Sequence, residues 1–175
     1  IIIFFEVYLG NFYDILYVVS DWMAKDRRNK NVKGIIISIP NGATSKQIDF
    51  SQVENKHNKV RLLYLGSLMG YWDYEPIIEA VRDSQDLYEF HFYGDGPSRK
   101  LLENKMKGLS HVKFHGRFKR TELGSLINPK ADILFLPPQT IAVMKKTGGL
   151  STKAFDYLAM KMPIIVPIDG ELNNI

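Results

Sequence analysis

From Val60 onward, short runs of β-branched, aromatic and leucine residues alternate with stretches of helical spacing. The runs are VRLLYLG (60–66), YEFHFYG (88–94), HVKFHG (111–116), ADILFLPP (131–138) and PIIVPI (163–168). Between them lie YEPIIEAVRDSQ, PSRKLLENKMKG, TELGSLINPK and STKAFDYLAM. Parallel neighbours need crossovers, so this alternation predicts an α/β domain: a parallel sheet with helices on both faces. Right-handed crossovers place every strand-to-helix loop on one edge of that sheet, where ligands bind.

Before residue 60 the rhythm is looser. YDILYVVS (13–20) reads as a strand, DWMAKDRRNK as a helix and GIIISIP (34–40) as another strand. PNGATSKQIDFSQVENKHNK (40–59) is polar with few core candidates and reads as a connection between two units. The apolar opening IIIFFEVYLG has no basic lead-in, is interrupted by Glu6, and is too short to span a bilayer. Together with an end at ELNNI just after a strand, it is expected of a chain cut at both ends.

A length of 175 residues allows one good core, or one domain and part of another. Hydrophobic residues make up 45% and charged residues 24%, which fits a globular protein rather than disorder. The net charge of +4 and pI near 9.1 point to an anionic partner: a phosphorylated ligand, a lipid headgroup or nucleic acid. Cysteine is absent, which excludes disulfides, thiolate catalysis and cysteine-bound zinc and suits a reducing compartment. The four histidines lack zinc spacing, H-E-x-x-H and G-x-S-x-G do not occur, and no acidic cluster is placed to hold a metal.

The loops at strand ends hold the candidates. YLGSLMGYW (64–72) places Gly66 and Ser67 just beyond the first strand of the alternating region. Gly66 admits two readings, close approach of backbone to a phosphate or an ordinary turn. YGDGPSRK (93–100) carries Gly94 and Gly96 in a tight strand-to-helix turn. HGRFKRTEL (115–123) offers Arg117, Lys119 and Arg120 and a capping Thr121; the cations either meet a phosphate or a negatively charged membrane, or are solvated loop.

The loop TGGLSTK, from Thr147 to Lys153, is the informative one. Ser151 is the natural N-cap, and helix starts present free N–H groups and partial positive charge to an anion. Gly148 and Gly149 leave room for close approach, and Thr152 adds a hydroxyl. Lys153 stands where the helix dipole repels a cation. Pairing with Asp156 one turn on runs in the weaker order, cation before anion. A diphosphate held by backbone N–H groups and Lys153 makes the placement favourable, and Asp156 is then placed to accept hydrogen bonds from sugar hydroxyls. Ala154, Phe155, Leu158, Ala159 and Met162 are the expected apolar stripe against the sheet.

Taken in order, VVSDWMAK…IPNGA, LLYLGSL…YEPIIEAV, FHFYGDGP, VKFHGRFKRTEL, ADILFLPP and STKAFDYLAMKMPIIVP resemble the sugar-nucleotide-binding half of a GT-B glycosyltransferase of the large retaining, group 1 family. The resemblance implies a Rossmann-like parallel sheet with flanking helices. It implies that residues 1–40 are the tail of the acceptor-side domain and 41–175 most of the donor-binding domain. It further implies that Gly66, Ser67, Gly148, Gly149, Ser151, Thr152 and Lys153 face the donor diphosphate. Gly94, Gly116, Arg117, Phe118 and Asp156 would lie against the base and ribose. The implied donor is a nucleotide diphosphate-sugar, UDP- or GDP-linked, with no further cofactor and no metal. The implied acceptor is a saccharide or a lipid-linked sugar, in the cytoplasm or peripherally at the inner face of the membrane.

Two positions depart from the family pattern. The first acid of E-x7-E falls on Gly148, the second corresponding to Asp156. The Arg and Lys usual after the first strand are missing from GSLMGYWDYEP, although STKAFDYLA resembles a P-x-K-x-x-E-Y-L-A branch. Gly148 in place of an acid favours a second reading, a non-catalytic GT-B-like subunit that binds nucleotide or a partner. The missing G-x-G-x-x-G argues against a dinucleotide-dependent oxidoreductase, and dispersed cations argue against nucleic acid.

Overall fold

The computed structural model describes residues 8–42, 59–84, 86–127, 132–148 and 151–167. Most of the polar connection at 40–59, the loop residue Gly149 and the segment ELNNI lie outside the described residues.

Among the described residues, two parallel sheets organise the chain. The first pairs β1 (Ile15–Val18) with β2 (Ile35–Ser38), joined by helix α1 (Asp21–Asn29). Ser20 caps α1, its hydroxyl accepting from the Met23 N–H at 3.1 Å. Alternation along the strands sends Leu16, Val18 and Ile36 toward α1, where Ala24 and Val32 complete a small core. Ile15, Tyr17, Ile35 and Ile37 form an exposed apolar face on the other side.

The second sheet is five-stranded and wholly parallel, in the order β5–β4–β3–β6–β7. Its strands are β3 (Val60–Leu65), β4 (Tyr88–Tyr93), β5 (Val112–Gly116), β6 (Asp132–Phe135) and β7 (Ile164–Ile165). The connecting helices are α2 (Glu75–Asp83), α3 (Arg99–Lys105), the single turn α4 (Leu123–Leu126), α5 (Ile141–Thr147) and α6 (Thr152–Ala159). Central β3 is buried on both faces, as parallel sheets require. One face sets Leu62, Tyr64, Phe90, Phe92 and Phe135 against Ile78 and Val81 of α2 and Leu102 of α3. The other sets Leu63, Leu65 and Leu134 against Leu123, Ala154, Tyr157 and Met160. Each large apolar side chain buried this way contributes about 1.5–3 kcal/mol.

The expected strands are all present, and the helical stretches need three corrections. Among its described residues, TELGSLINPK yields a 3-10 turn at Arg120–Glu122 and the single turn α4, since Gly124 weakens a longer helix; Thr121 sits inside that turn rather than capping it. Helix α5 was not expected. It begins after Thr140 and ends at Gly148, whose φ of 69° is the left-handed C-cap that glycine favours. The stripe on α6 is turned: Ala154, Tyr157 and Met160 are buried, while Leu158 is 46% exposed and Phe155 half-buried. The Tyr157 hydroxyl sets this rotation, because it bonds to the end of β3.

A candidate nucleotide-diphosphate site at the sheet edge

Strands β3, β4 and β5 each run into a glycine at the same edge of the sheet: Gly66, Gly94 and Gly116. The three are stitched together, Gly66 N–H donating to the Tyr93 carbonyl at 2.8 Å and Gly94 N–H to the Gly116 carbonyl at 2.6 Å. Gly66 and Gly94 have φ of 142° and 139°, a region that side chains disfavour. A Cβ on Gly94 would lie 1.9 Å from the Gly66 carbonyl oxygen, so these two loops touch backbone to backbone.

Lys153 reaches this edge from α6. A Cβ on Gly66 would lie 2.2 Å from Lys153 Cε, so the lysine stem occupies the space that glycine leaves open. The ammonium ends 5.2 Å from the centroid of the Trp72 ring. Burial holds the Lys153 pKa below its ordinary value, against the opposing pull of the Asp156 carboxylate. The loop after β3, which carries no cation of its own, thus receives one from α6.

Two adjoining cavities open around this point. The larger, about 330 Å³, is lined by Leu65, Gly66, Ser67 and Phe118 on one side and by Lys153, Asp156, Tyr157 and Met160 on the other, with Leu123 between. The smaller, about 270 Å³, shares Gly66, Ser67 and Phe118 and adds Gly94, Asp95 and Arg117. Phe118 stands edge-on to Tyr93, ring centroids 6.3 Å apart, which fixes the aromatic wall common to both. Arg117 Nε lies 3.4 Å from Asp95 Oδ2, and its side chain is 89% exposed, so the pair contributes little to stability.

Of the candidate residues, Gly66, Ser67, Gly94, Arg117, Phe118, Lys153 and Asp156 therefore line these two adjoining cavities. Gly116 underlies it through its bond to Gly94. Ser151 is the N-cap of α6; its hydroxyl accepts from the Lys153 N–H at 3.3 Å, and it is buried. Neither Ser151 nor exposed Thr152 lines these cavities, so positive charge reaches them through the Lys153 side chain. Gly148 faces elsewhere: a Cβ there would lie 2.6 Å from Trp22 Cβ in α1. Among the described residues, no group of three His, Cys, Asp or Glu is placed to hold a metal.

Sequence reasoning missed Leu65, Asp95, Leu123, Tyr157 and Met160 as lining residues. Tyr157 and Met160 stand four and seven positions after Lys153, the spacing of one helix face, and that was the signal. Asp95 sits between two glycines of a strand-end loop.

Similarity to known proteins fits this architecture. Solved structures sharing the fold include a point mutant of TarM from S. aureus in complex with fondaparinux, alpha-GlcNAc-glycerol and UDP, at 15% identity and TM-score 0.66, covering 97% of this chain and 33% of that one. Pneumococcal GtfA, an O-GlcNAc transferase in complex with UDP and GlcNAc, matches at 16% identity and TM-score 0.69, covering 95% and 33%. HepE from Anabaena, in complex with UDP and glucose, matches at 13% identity and TM-score 0.69, covering 97% and 49%. The chain thus spans between a third and a half of the length of these neighbours. No curated protein matches it by sequence. Residues 59–171 match the family model for glycosyl transferases group 1, and the chain belongs to that family.

Proposed function

We propose that this chain is the donor-binding part of a glycosyltransferase that moves a sugar from a nucleotide diphosphate-sugar to a saccharide or lipid-linked acceptor. In this reading residues 41–175 bind the donor and residues 1–40 belong to the acceptor side. The observation that carries it is the path of Lys153, which crosses Gly66 to bring an ammonium to the glycine-rich edge of the sheet. The diphosphate lies against the Gly66–Ser67 backbone and this ammonium. Asp156 accepts from the ribose hydroxyls, and the cavity between Phe118, Arg117 and Gly94 takes the base. When the bond between anomeric carbon and diphosphate oxygen breaks, its electron pair leaves with the diphosphate. A preorganised cation in a half-buried site stabilises that charge. UDP in the complexes of TarM, GtfA and HepE supports uridine as the base. The basic balance of the chain supports an acceptor at an anionic membrane surface on the cytoplasmic side, with the protein associated peripherally.

A non-catalytic nucleotide-binding role is favoured by one observation, the packing of Gly148 against Trp22 where the family pattern has an acid. Turnover of a sugar nucleotide by the protein eliminates it.

Thermal stability against UDP, GDP, ADP, their sugar conjugates and NAD tests the first reading. A ligand bound only by the folded state, at 100 times its dissociation constant, adds about 2.7 kcal/mol. One nucleoside diphosphate is expected to raise Tm and to lose most of that shift in Lys153→Ala. Stabilisation by NAD alone, or an equal shift in the variant, overturns it.

A further inference from the structure

The four-carbon stem of lysine has many rotamers, and an ammonium half a turn from the right place neutralises nothing. Something must aim Lys153. Asp156, one turn along the same helix, attracts the ammonium back toward α6. Across the cavity edge stands Trp72, 5% exposed, with the Lys153 Nζ 5.2 Å from its ring centroid. Its position is fixed from three sides. The indole belongs to the core formed by Leu68, Tyr74 and Ile78. The Tyr71–Asp73 backbone is tied to the segment after β6, with Asp73 N–H donating to Pro138 at 2.7 Å and Thr140 N–H to Tyr71 at 2.9 Å. An isolated bridge between Trp72 and Gln139 completes the tie.

We propose that Trp72 is a positioning residue: its indole face holds the Lys153 ammonium over the loop after β3, so that a helix-borne cation serves a loop that has none. The inference rests on the donor-site reading and adds a specific partner to it. Two surfaces define the lysine's path. Gly66 provides the passage for the stem, and the face of Trp72 provides the end point for the charge. An indole face attracts a cation without neutralising it, unlike a carboxylate, so the full charge stays available to a diphosphate. An acid at this position would instead compete with the phosphate.

The test measures calorimetric binding of UDP and of uridine to the whole chain. Uridine lacks the diphosphate, so the difference between the two ligands isolates what Lys153 contributes. Lys153→Met is expected to weaken UDP and leave uridine unchanged. Trp72→Leu is expected to weaken UDP roughly tenfold, which corresponds to about 1.4 kcal/mol, again sparing uridine. Trp72→Phe, which keeps an aromatic face, should retain most of the affinity. The double variant should bind UDP no worse than Lys153→Met alone, because both changes remove one interaction. A Trp72→Leu protein that melts like the parent and binds UDP equally well overturns the inference, as do effects that add in full.

A ligand-free measurement covers a Trp72→Leu chain that fails to fold. In the parent protein, ring current from Trp72 should shift the Lys153 Hε resonances upfield. Resonances at random-coil positions overturn the inference whatever UDP does. A shifted resonance in a protein that binds neither UDP nor uridine overturns the donor reading and upholds the contact.

Discussion

The Tyr157 hydroxyl exchanges two hydrogen bonds with the backbone of Leu65: the Leu65 N–H donates to it at 2.8 Å, and it donates to the Leu65 carbonyl at 3.2 Å. The ladder between β3 and β6 ends at Leu63 and Leu134, so two residues later a side chain from α6 takes the place of a strand. This bond fastens the helix that carries Lys153 to the strand that leads into Gly66. Tyr157→Phe leaves a buried N–H and a buried carbonyl without that partner. We expect a loss of about 2–3 kcal/mol in urea unfolding, at one to a few kcal/mol per orphaned group less relaxation. A loss below 0.5 kcal/mol would show that the hydroxyl is replaceable.

Alanine at Gly66 and alanine at Gly94 should fail differently. At Gly94 the new Cβ meets the Gly66 carbonyl at 1.9 Å, and backbone cannot move aside cheaply. At Gly66 it meets the flexible stem of Lys153 at 2.2 Å. Both carry the strain of a disfavoured φ, on the order of 1–3 kcal/mol. Gly94→Ala is therefore expected to be the more destabilising in thermal melts. Gly66→Ala should stay folded and lose UDP binding, because the lysine is displaced. The reverse order of stability would contradict the packing described for this edge.

The sheet was legible in the sequence because YEFHFYG alternates, while VRLLYLG, continuously apolar after Arg61, is too short for a helix and is closed by a glycine before a stretch of helical spacing. The glycines that end them, and the Ser151 cap, were legible for the same local reasons. What was not legible depends on pairs far apart in the chain. Leu158 and Tyr157 fit an apolar helix face about equally well; only the Leu65 backbone, 92 residues away, selects Tyr157. Nothing local marks Trp72; only the Lys153 ammonium above its ring singles it out. Helix α5 had its own signals, Thr140 before and Gly148 after, which the glycine-rich reading of the following loop obscured.

Acid should weaken the fold through β4 and β5. His91 is buried, its Nε2 3.1 Å from the Glu89 carboxylate and its Nδ1 3.0 Å from His115 Nε2. A carboxylate only accepts, so His91 carries its proton on Nε2 and accepts from His115 on Nδ1. A second proton on Nδ1 would point at the His115 N–H, beside Lys113 and with the charge of Arg61 nearby. Burial, opposed by Glu89 and helped by these cations, pushes the His91 pKa down to about 4. Burial lowers that of His115 as well. The unfolded chain takes up the proton near 6.5, so between about pH 6.5 and 4 it holds more protons than the folded one. Stability is full above pH 6.5 and declines below it, by on the order of 2 kcal/mol at pH 5 for His91. Urea midpoints at pH 7.5 and pH 5 check this, and His91→Leu should flatten the slope between them.

The balance between burial and the Asp156 carboxylate around Lys153 should appear in the alkaline limb of phosphate binding. Burial lowers the lysine pKa and the Asp156 carboxylate raises it, so removing the carboxylate lowers it further. Lys153 then loses its proton at a lower pH, and with it the attraction for a diphosphate. Binding of inorganic pyrophosphate, which has no ribose to contact Asp156, isolates this effect from any loss of sugar hydrogen bonds. In Asp156→Asn the affinity for pyrophosphate is expected to begin falling at lower pH than in the parent protein. At neutral pH, where the ammonium is charged in both, the variant should bind pyrophosphate at least as well, since a like charge beside the phosphate has been removed. An unchanged alkaline limb would mean that the cation meeting the phosphate is not Lys153.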